Sequence, residues 1–180
     1  FDIVVVGAGI AGTVAALELT RRFPDSKIAV LNKGQLQDAN SYYAKGGIAA
    51  VVRKNSTEIE QHIEDTLRAG HDQNDPKVVR EVCENAHLTL LKLRSFGVQF
   101  DPDLHLEGGH RTRRIYHISD ATGKYIMRRL HEKLSEYPNI SHFDRCRVLD
   151  LQRCTAGFEL LLKFGNSLHS LKAGSVVLAG

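Results

Sequence analysis

The six residues Gly7-Ala8-Gly9-Ile10-Ala11-Gly12 constrain the fold of this chain more than any other stretch. They follow Asp2-Ile3-Val4-Val5-Val6 and lead into Ile10 to Arg22, whose composition is helical. A β-branched apolar run that ends on glycine and reopens as a helix predicts strand, tight turn and helix in that order. In that context the GxGxxG spacing has a physical meaning. Gly7 permits the turn, Gly9 lets the backbone approach a pyrophosphate, and Gly12 packs helix on strand. The helix N-terminus adds free N–H groups and a partial positive charge for an anion. Glycines that merely shape a turn would give the same string. Lys27 to Leu31 reads as a second strand, which completes the opening βαβ unit of a doubly wound parallel sheet with a right-handed crossover. The expected class is therefore α/β: a Rossmann-like domain with a parallel sheet flanked by helices.

Where a carboxylate for the ribose hydroxyls of NAD would stand, at the end of the second strand, the chain has Asn32-Lys33. An amide and an ammonium still hold ribose or phosphate, so the departure weakens an NAD reading more than a general dinucleotide one. Lys33 reads either as such a contact or as a solvated charge. Other ligand classes fit less well. A net charge of +3, from 24 Lys+Arg against 21 Asp+Glu, is too mild to imply nucleic acid without a localised patch. The apolar stretch from Ile3 to Leu17 is too short and too interrupted by glycine to span a membrane. Cys83, Cys146 and Cys154 are odd in number and show no CxxC spacing, so they read as reduced thiols of a cytoplasmic protein without a disulfide.

Further along, Thr57 and Glu60 stand at capping-box spacing ahead of Ile59, Ile63 and Leu67, which predicts a surface helix ending at Gly70. A second helix is predicted from Asp75 as N-cap and Pro76 at its first position. It carries Val79, Val82, Cys83, Ala86, Leu90 and Leu93 inward and stops at Gly97. A third runs from about Thr122 to Tyr137 with Ile126, Leu130 and Leu134 aligned. Residues 140–152, 158–164, 168–171 and 175–179 read as short strands. The chain starts in a strand without Met and stops in one, so it is expected to be incomplete.

The segment Asn40-Ser41-Tyr42-Tyr43-Ala44-Lys45-Gly46-Gly47-Ile48-Ala49-Ala50-Val51 adds specificity. Hydroxyls, then Gly-Gly, then small apolar residues describe a backbone able to lie close to a flat ring. The segment resembles the L-aspartate-oxidising members of the succinate dehydrogenase and fumarate reductase flavoprotein family. Three further matches follow in that family's order: the Asp75-Pro76 helix ending in Gly97-Val98-Gln99-Phe100-Asp101, then Glu107-Gly108-Gly109-His110 with Arg113-Arg114-Ile115, then Asp120-Ala121-Thr122-Gly123. The resemblance implies that residues 1–180 are the N-terminal portion of an FAD-binding domain, with capping and C-terminal domains absent, whose flavin exchanges hydride with the α-carbon of a four-carbon dicarboxylate, and a role in NAD biosynthesis. It places Ala8, Gly9, Ile10 and Ala11 at the pyrophosphate, Lys33 on the adenosine side, Asn40 through Gly47 at the flavin and ribityl chain, and Arg147 and Val148 beside the adenine. Asn40 stands where succinate dehydrogenases have the histidine that binds FAD covalently, so non-covalent FAD is expected.

Glu107 matches a carboxylate aimed at the substrate's ammonium, a group that succinate lacks. This favours aspartate over succinate. Lys45, Leu106, Arg111 and Thr112 depart from the family pattern, and the loop from Asp101 to Glu107 is short. Arg111, Arg113 and Arg114 with His110 and His117 are expected to face a dicarboxylate or water rather than nucleic acid. No metal site is expected, because no carboxylate or Cys stands at ligand spacing. The catalytic arginine is expected beyond residue 180, the catalytic residues and oligomeric state are left open, and a succinate or fumarate enzyme or a non-catalytic nucleotide-binding module are the rival readings.

Overall fold

The computed structural model describes residues 1–52, 55–71 and 73–180. In chain order the first elements are β1 (Ile3–Val6), α1 (Ile10–Arg22), β2 (Ile28–Leu31), a 3-10 turn at Leu36–Asp38, α2 (Asn40–Tyr43), β3 (Ile48–Ala49), α3 (Ser56–Ala69) and α4 (Pro76–Ser95). They are followed by β4 (Ile115–Tyr116), α5 (Thr122–Ser135), β5 (Ile140–Phe143), β6 (Cys146–Cys154), β7 (Gly157–Phe164), β8 (Ser167–Ala173) and β9 (Ser175–Leu178). They form two compact units, one of Phe1–Tyr43 with Ile126–Gly180 and one of Ala44–Tyr125.

The first unit is built on a parallel sheet of order β5-β2-β1-β9. Val5 pairs with Val30 on one side and Val177 on the other. A parallel strand is covered on both faces, which is why β1 and β2 read as unbroken apolar runs rather than alternating ones. Val4, Ala29 and Leu31 pack against Cys146, Leu160, Leu162 and Ala173 of the antiparallel sheet β6-β7-β8. By the pleat, Val5, Ile28 and Val30 face the other way. They are fully buried, and α1 packs against β1 and β2. The expected parallel sheet with flanking helices is present. The antiparallel sheet is an addition: its three strands were legible as strands, but their separation from the parallel sheet was not. A register shift between Val148 and Asp150 interrupts the β6–β7 ladder.

In the second unit Ile63, Val79 and Cys83 bring α3 and α4 together, and Ala50, Ala86 and Leu90 pack with Ile48 and Tyr116 of the short β3–β4 pair. Asp75 caps α4 by accepting from Lys77 N–H at 2.8 Å, with Pro76 behind it. Two sequence expectations need correction here. The N-cap of α3 is Asn55, which accepts from Thr57 and Glu58 N–H, while Glu60 forks onto Arg80 of α4 at 2.5 and 2.9 Å. Asparagine is a preferred cap, and once it closes the turn Thr57 lies inside the helix. Val82 is 62% exposed rather than inward. The buried stripe runs Val79, Cys83, Ala86, Leu90, Leu93, and Val82 falls beside it.

The three cysteines are free thiols, with Cys83 and Cys146 buried. Among the described residues no helix is long and apolar enough to cross a membrane.

Candidate dinucleotide-binding site

The carboxyl ends of β1, β2 and β9 open onto one cavity of about 460 Å³ in the first unit. Gly7 to Ala11 follow β1, Asn32 to Gly34 follow β2, and Ala179 and Gly180 follow β9. Cys146, Arg147 and Val148 at the start of β6 and Asp38 to Ser41 complete its lining. In open parallel sheets ligands bind where the strand order reverses, here at β1 between β2 and β9.

The three glycines of the turn are there for different reasons. Gly7 has φ 107°, and a Cβ on it would lie 2.4 Å from the Ala179 carbonyl oxygen. A Cβ on Gly12 would meet the Gly7 carbonyl oxygen at 1.9 Å. At Gly9 φ is an ordinary −69°, and a Cβ would meet only Ser41 Oγ at 3.7 Å. Among the described residues none comes close enough to require glycine at position 9, and the space it leaves belongs to the cavity. The Ala8 carbonyl accepts from Thr13 Oγ1 at 3.2 Å and faces His131 Nε2 at 3.2 Å. Because carbonyl and N–H of a planar trans peptide point opposite ways, this turns the Gly9 N–H away from that buried pair. Burial holds His131 below the ordinary histidine value, which keeps its ring neutral, and the Ala8 carbonyl only partly opposes this. Gly9, the N-cap of α1, has no side chain with which to cap the helix, and Ile10 N–H reaches Ser41 Oγ at 3.4 Å. A helix start of this kind, lined by backbone amides, fits the pyrophosphate of a dinucleotide.

Of the residues singled out in the sequence, Gly7, Ala8, Gly9, Ile10 and Ala11 border the cavity, as do Lys33, Asn40, Ser41, Arg147 and Val148. Gly12 packs behind the turn. Tyr42 and Tyr43 stack edge to face on α2 at 5.7 Å outside that lining, and Tyr43 is 66% exposed. Asn32 is committed to structure: its side chain donates to Asp144 at 2.9 Å, and its carbonyl accepts from Cys146 N–H at 2.8 Å. Sequence reasoning missed Asp38, Ala39 and Cys146. The only local signal for the Ala179-Gly180 wall is a second apolar run ending on glycine.

Ala44, Lys45, Gly46 and Gly47 belong to the second unit. There Gly123 N–H donates to the Ala44 carbonyl at 2.8 Å and Thr122 Oγ1 to that of Lys45 at 3.2 Å, so the Asp120-to-Gly123 motif holds this loop. Gly47, at φ 137°, packs so closely on Tyr116 that a Cβ would lie 2.5 Å from its carbonyl oxygen. Gly46 has room: the nearest atom to a Cβ there is the Glu107 carboxyl carbon at 4.0 Å. Lys45 and Asp120 form a loose, exposed pair at 3.6 Å.

The arginine cluster needs correction. Arg111 Nε and Arg114 Nη1 bind the fully buried Asp65 at 2.6 and 2.8 Å, and Arg114 Nη2 donates to Thr112 Oγ1 at 2.5 Å. Burial pushes the Asp65 carboxyl up, but the hydrogen bonds from Arg111 and Arg114 outweigh it and hold it below the usual carboxylate value. These two arginines neutralise a carboxylate of their own unit. Arg113 remains exposed, donating to the Leu104 carbonyl at 3.3 Å. The expectation of no carboxylate at ligand spacing also fails, because Asp103 stands beside both His105 and His117.

The FAD binding domain family matches residues 2–179. An L-aspartate oxidase of Yersinia pestis is 41% identical over 160 residues, covering 83% of this chain and 29% of that protein. L-aspartate oxidase 1 of Ralstonia nicotianae is 38% identical, covering 99% of this chain and 36% of that protein. Among solved structures, an E. coli quinol fumarate reductase superposes with TM-score 0.86 at 27% identity, covering 99% of this chain and 32% of that one. A flavocytochrome c3 fumarate reductase superposes with TM-score 0.82 at 27% identity, covering 98% and 33%. The chain thus spans about a third of the length of these relatives.

Proposed function

This chain belongs to the FAD binding domain family, and from that footing we propose that it supplies the nucleotide-binding part of an enzyme that oxidises L-aspartate to iminoaspartate. FAD is the cofactor of the family, and when bound it supplies the acceptor for the substrate's Cα hydride. The residues fit it: the open space at Gly9 and the amides opening α1 suit the pyrophosphate. Lys33, Arg147 and Val148 serve the adenosine side, and Asn40 through Gly47 serve the flavin and ribityl chain. Asn40 offers no nucleophile for a covalent bond to the ring, so FAD is held non-covalently. Residues 1–180 are the N-terminal portion of the FAD-binding domain, and the cap and the groups that clamp the substrate carboxylates lie elsewhere. The free thiols suit a reducing, cytoplasmic setting, and the product suits a supply route to NAD.

The observation that carries aspartate over succinate is Glu107, whose carboxyl stands against the open side of Gly46 in the glycine pair assigned to the flavin. A carboxylate there forms a charge-assisted hydrogen bond with an α-ammonium and has nothing to bind on succinate. The test uses a polypeptide extended to the length of the relatives. Glu107→Gln is expected to lower kcat/KM for aspartate roughly 10- to 150-fold, the range of one charged hydrogen bond. Fumarate reduction by the reduced protein should stay within about twofold of the parent. Equal losses on both substrates would show that Glu107 only supports its loop, and the succinate or fumarate reading would then stand.

A further inference from the structure

The second unit holds a cluster that the flavin reading leaves unused. His117, just after β4, is 3% exposed, yet neither of its ring nitrogens has a hydrogen-bond partner. Its Nδ1 lies 3.3 Å from Asp101 Oδ2 and its Nε2 lies 3.6 Å from Asp103 Oδ1. His105 Nε2 lies 3.6 Å from the other oxygen of Asp103, and its ring stacks on that of His117 with centroids 3.3 Å apart. One ligand atom from each of Asp103, His105 and His117 falls within 4.8 Å of the others.

The backbone brings these groups together. His105 N–H donates to the Ile115 carbonyl at 3.0 Å, Ile115 N–H donates to the His105 carbonyl at 3.2 Å, and Asp101 N–H donates to the His117 carbonyl at 2.9 Å. The segment from Asp101 to His105 is therefore strapped along β4, with its polar side chains gathered around a buried imidazole. Such an imidazole, with only loose contacts to two carboxylates and a hydrogen bond at neither nitrogen, is costly unless something else satisfies it. Two ligands each about 2.0–2.2 Å from one tetrahedral ion are about 3.3–3.6 Å apart, close to the separation of Asp103 from each histidine. His105 is only partly buried and can turn its ring edge toward the shared point. Asp101 completes the arrangement. Held by Ser119 N–H at 2.7 Å, it faces His117 Nδ1 and favours the tautomer that leaves the Nε2 lone pair free.

We propose that Asp103, His105 and His117 form a divalent transition-metal site, with Asp101 orienting His117, and that the ion pins the Asp101–His105 segment to β4. Two imidazoles and one carboxylate suit zinc and its first-row neighbours. Magnesium and calcium prefer oxygen ligands throughout. Asp103 is well exposed, so water reaches the remaining coordination position. The site is structural in this reading and independent of the flavin.

The test uses the chain stripped with chelator, titrated with zinc chloride by calorimetry and with cobalt chloride by visible absorption. One zinc per chain, cobalt bands of a four- or five-coordinate ion, and a higher unfolding temperature with zinc are expected. Asp103→Asn, at an exposed position that leaves folding intact, should weaken zinc binding about 100-fold, and His117→Gln should do the same. Asp101→Asn should weaken it roughly 10- to 100-fold, as outer-shell changes do. His169→Gln, exposed on β8, should change nothing. Absence of binding, or equal affinity in the parent and Asp103→Asn, would overturn the proposal and leave the cluster as paired ionic groups.

Discussion

The carbonyl of Ala8 shows how much one peptide's orientation matters, because one of its two partners, His131, lies 123 residues away in sequence. Thr13, in the first turns of α1, is local and could be suspected from the sequence. His131 could not, since nothing in the periodicity of α5 marks it as different from any other half-buried helical residue. Replacing His131 by Leu should relax the peptide that presents the Gly9 N–H. FAD affinity of the chain, read by flavin fluorescence, is expected to fall by about fivefold, the worth of one neutral hydrogen bond. Gly9→Val should act more strongly, because its side chain fills space that only the cavity occupies. Overpacking of about 1–3 kcal/mol predicts a loss of roughly 5- to 150-fold in FAD affinity with an unchanged circular dichroism spectrum. An unaltered affinity in Gly9→Val would remove the pyrophosphate from this turn.

Elements whose ends are set by local chemistry were legible. α4 begins with Asp75 and Pro76 as expected, and α1 spans Ile10–Arg22 as expected. The β6-β7-β8 sheet was legible only as separate strands, because pairing partners follow from turns and burial on one face rather than from composition. On β7, Leu160 is fully buried under the parallel sheet while its neighbour Leu161 points outward at 39% exposure. Leu160→Ala is therefore expected to cost about 2–5 kcal/mol in urea unfolding, and Leu161→Ala less than about 1 kcal/mol. Similar costs for the two would mean that the sheet does not pack through this face.

Across the molecule, acid sensitivity should be marked in the second unit, with His131 of the first unit contributing in the same direction. Burial, then the Arg114 charge, lowers the pKa of His62 from 6.5 to about 4. The native state thus resists a proton that the unfolded chain accepts. That contribution is fully present above pH 6.5 and is lost as pH falls toward about 4, by up to about 3 kcal/mol. Asp65, held below its usual value, adds a further loss at still lower pH as its carboxylate is protonated. Unfolding followed between pH 7 and 4 should show this decline, and His62→Gln should flatten it. A decline of the same size in His62→Gln would place the acid sensitivity elsewhere.

The division between sequence and structure follows the range of the forces involved. The sequence by itself determined the glycine turn, the strands and helices around it and a dinucleotide-binding class, because turn sterics, caps and apolar periodicity act within a few residues. FAD in particular followed from the resemblance of whole motifs. Only the tertiary structure decided that Asp65 claims Arg111 and Arg114, that Asn32 ties β2 to Asp144 and Cys146, and that Asp103, His105 and His117 converge. Those outcomes depend on which distant side chains share a low-dielectric site, where a buried charge must be paired or its folded state becomes too costly.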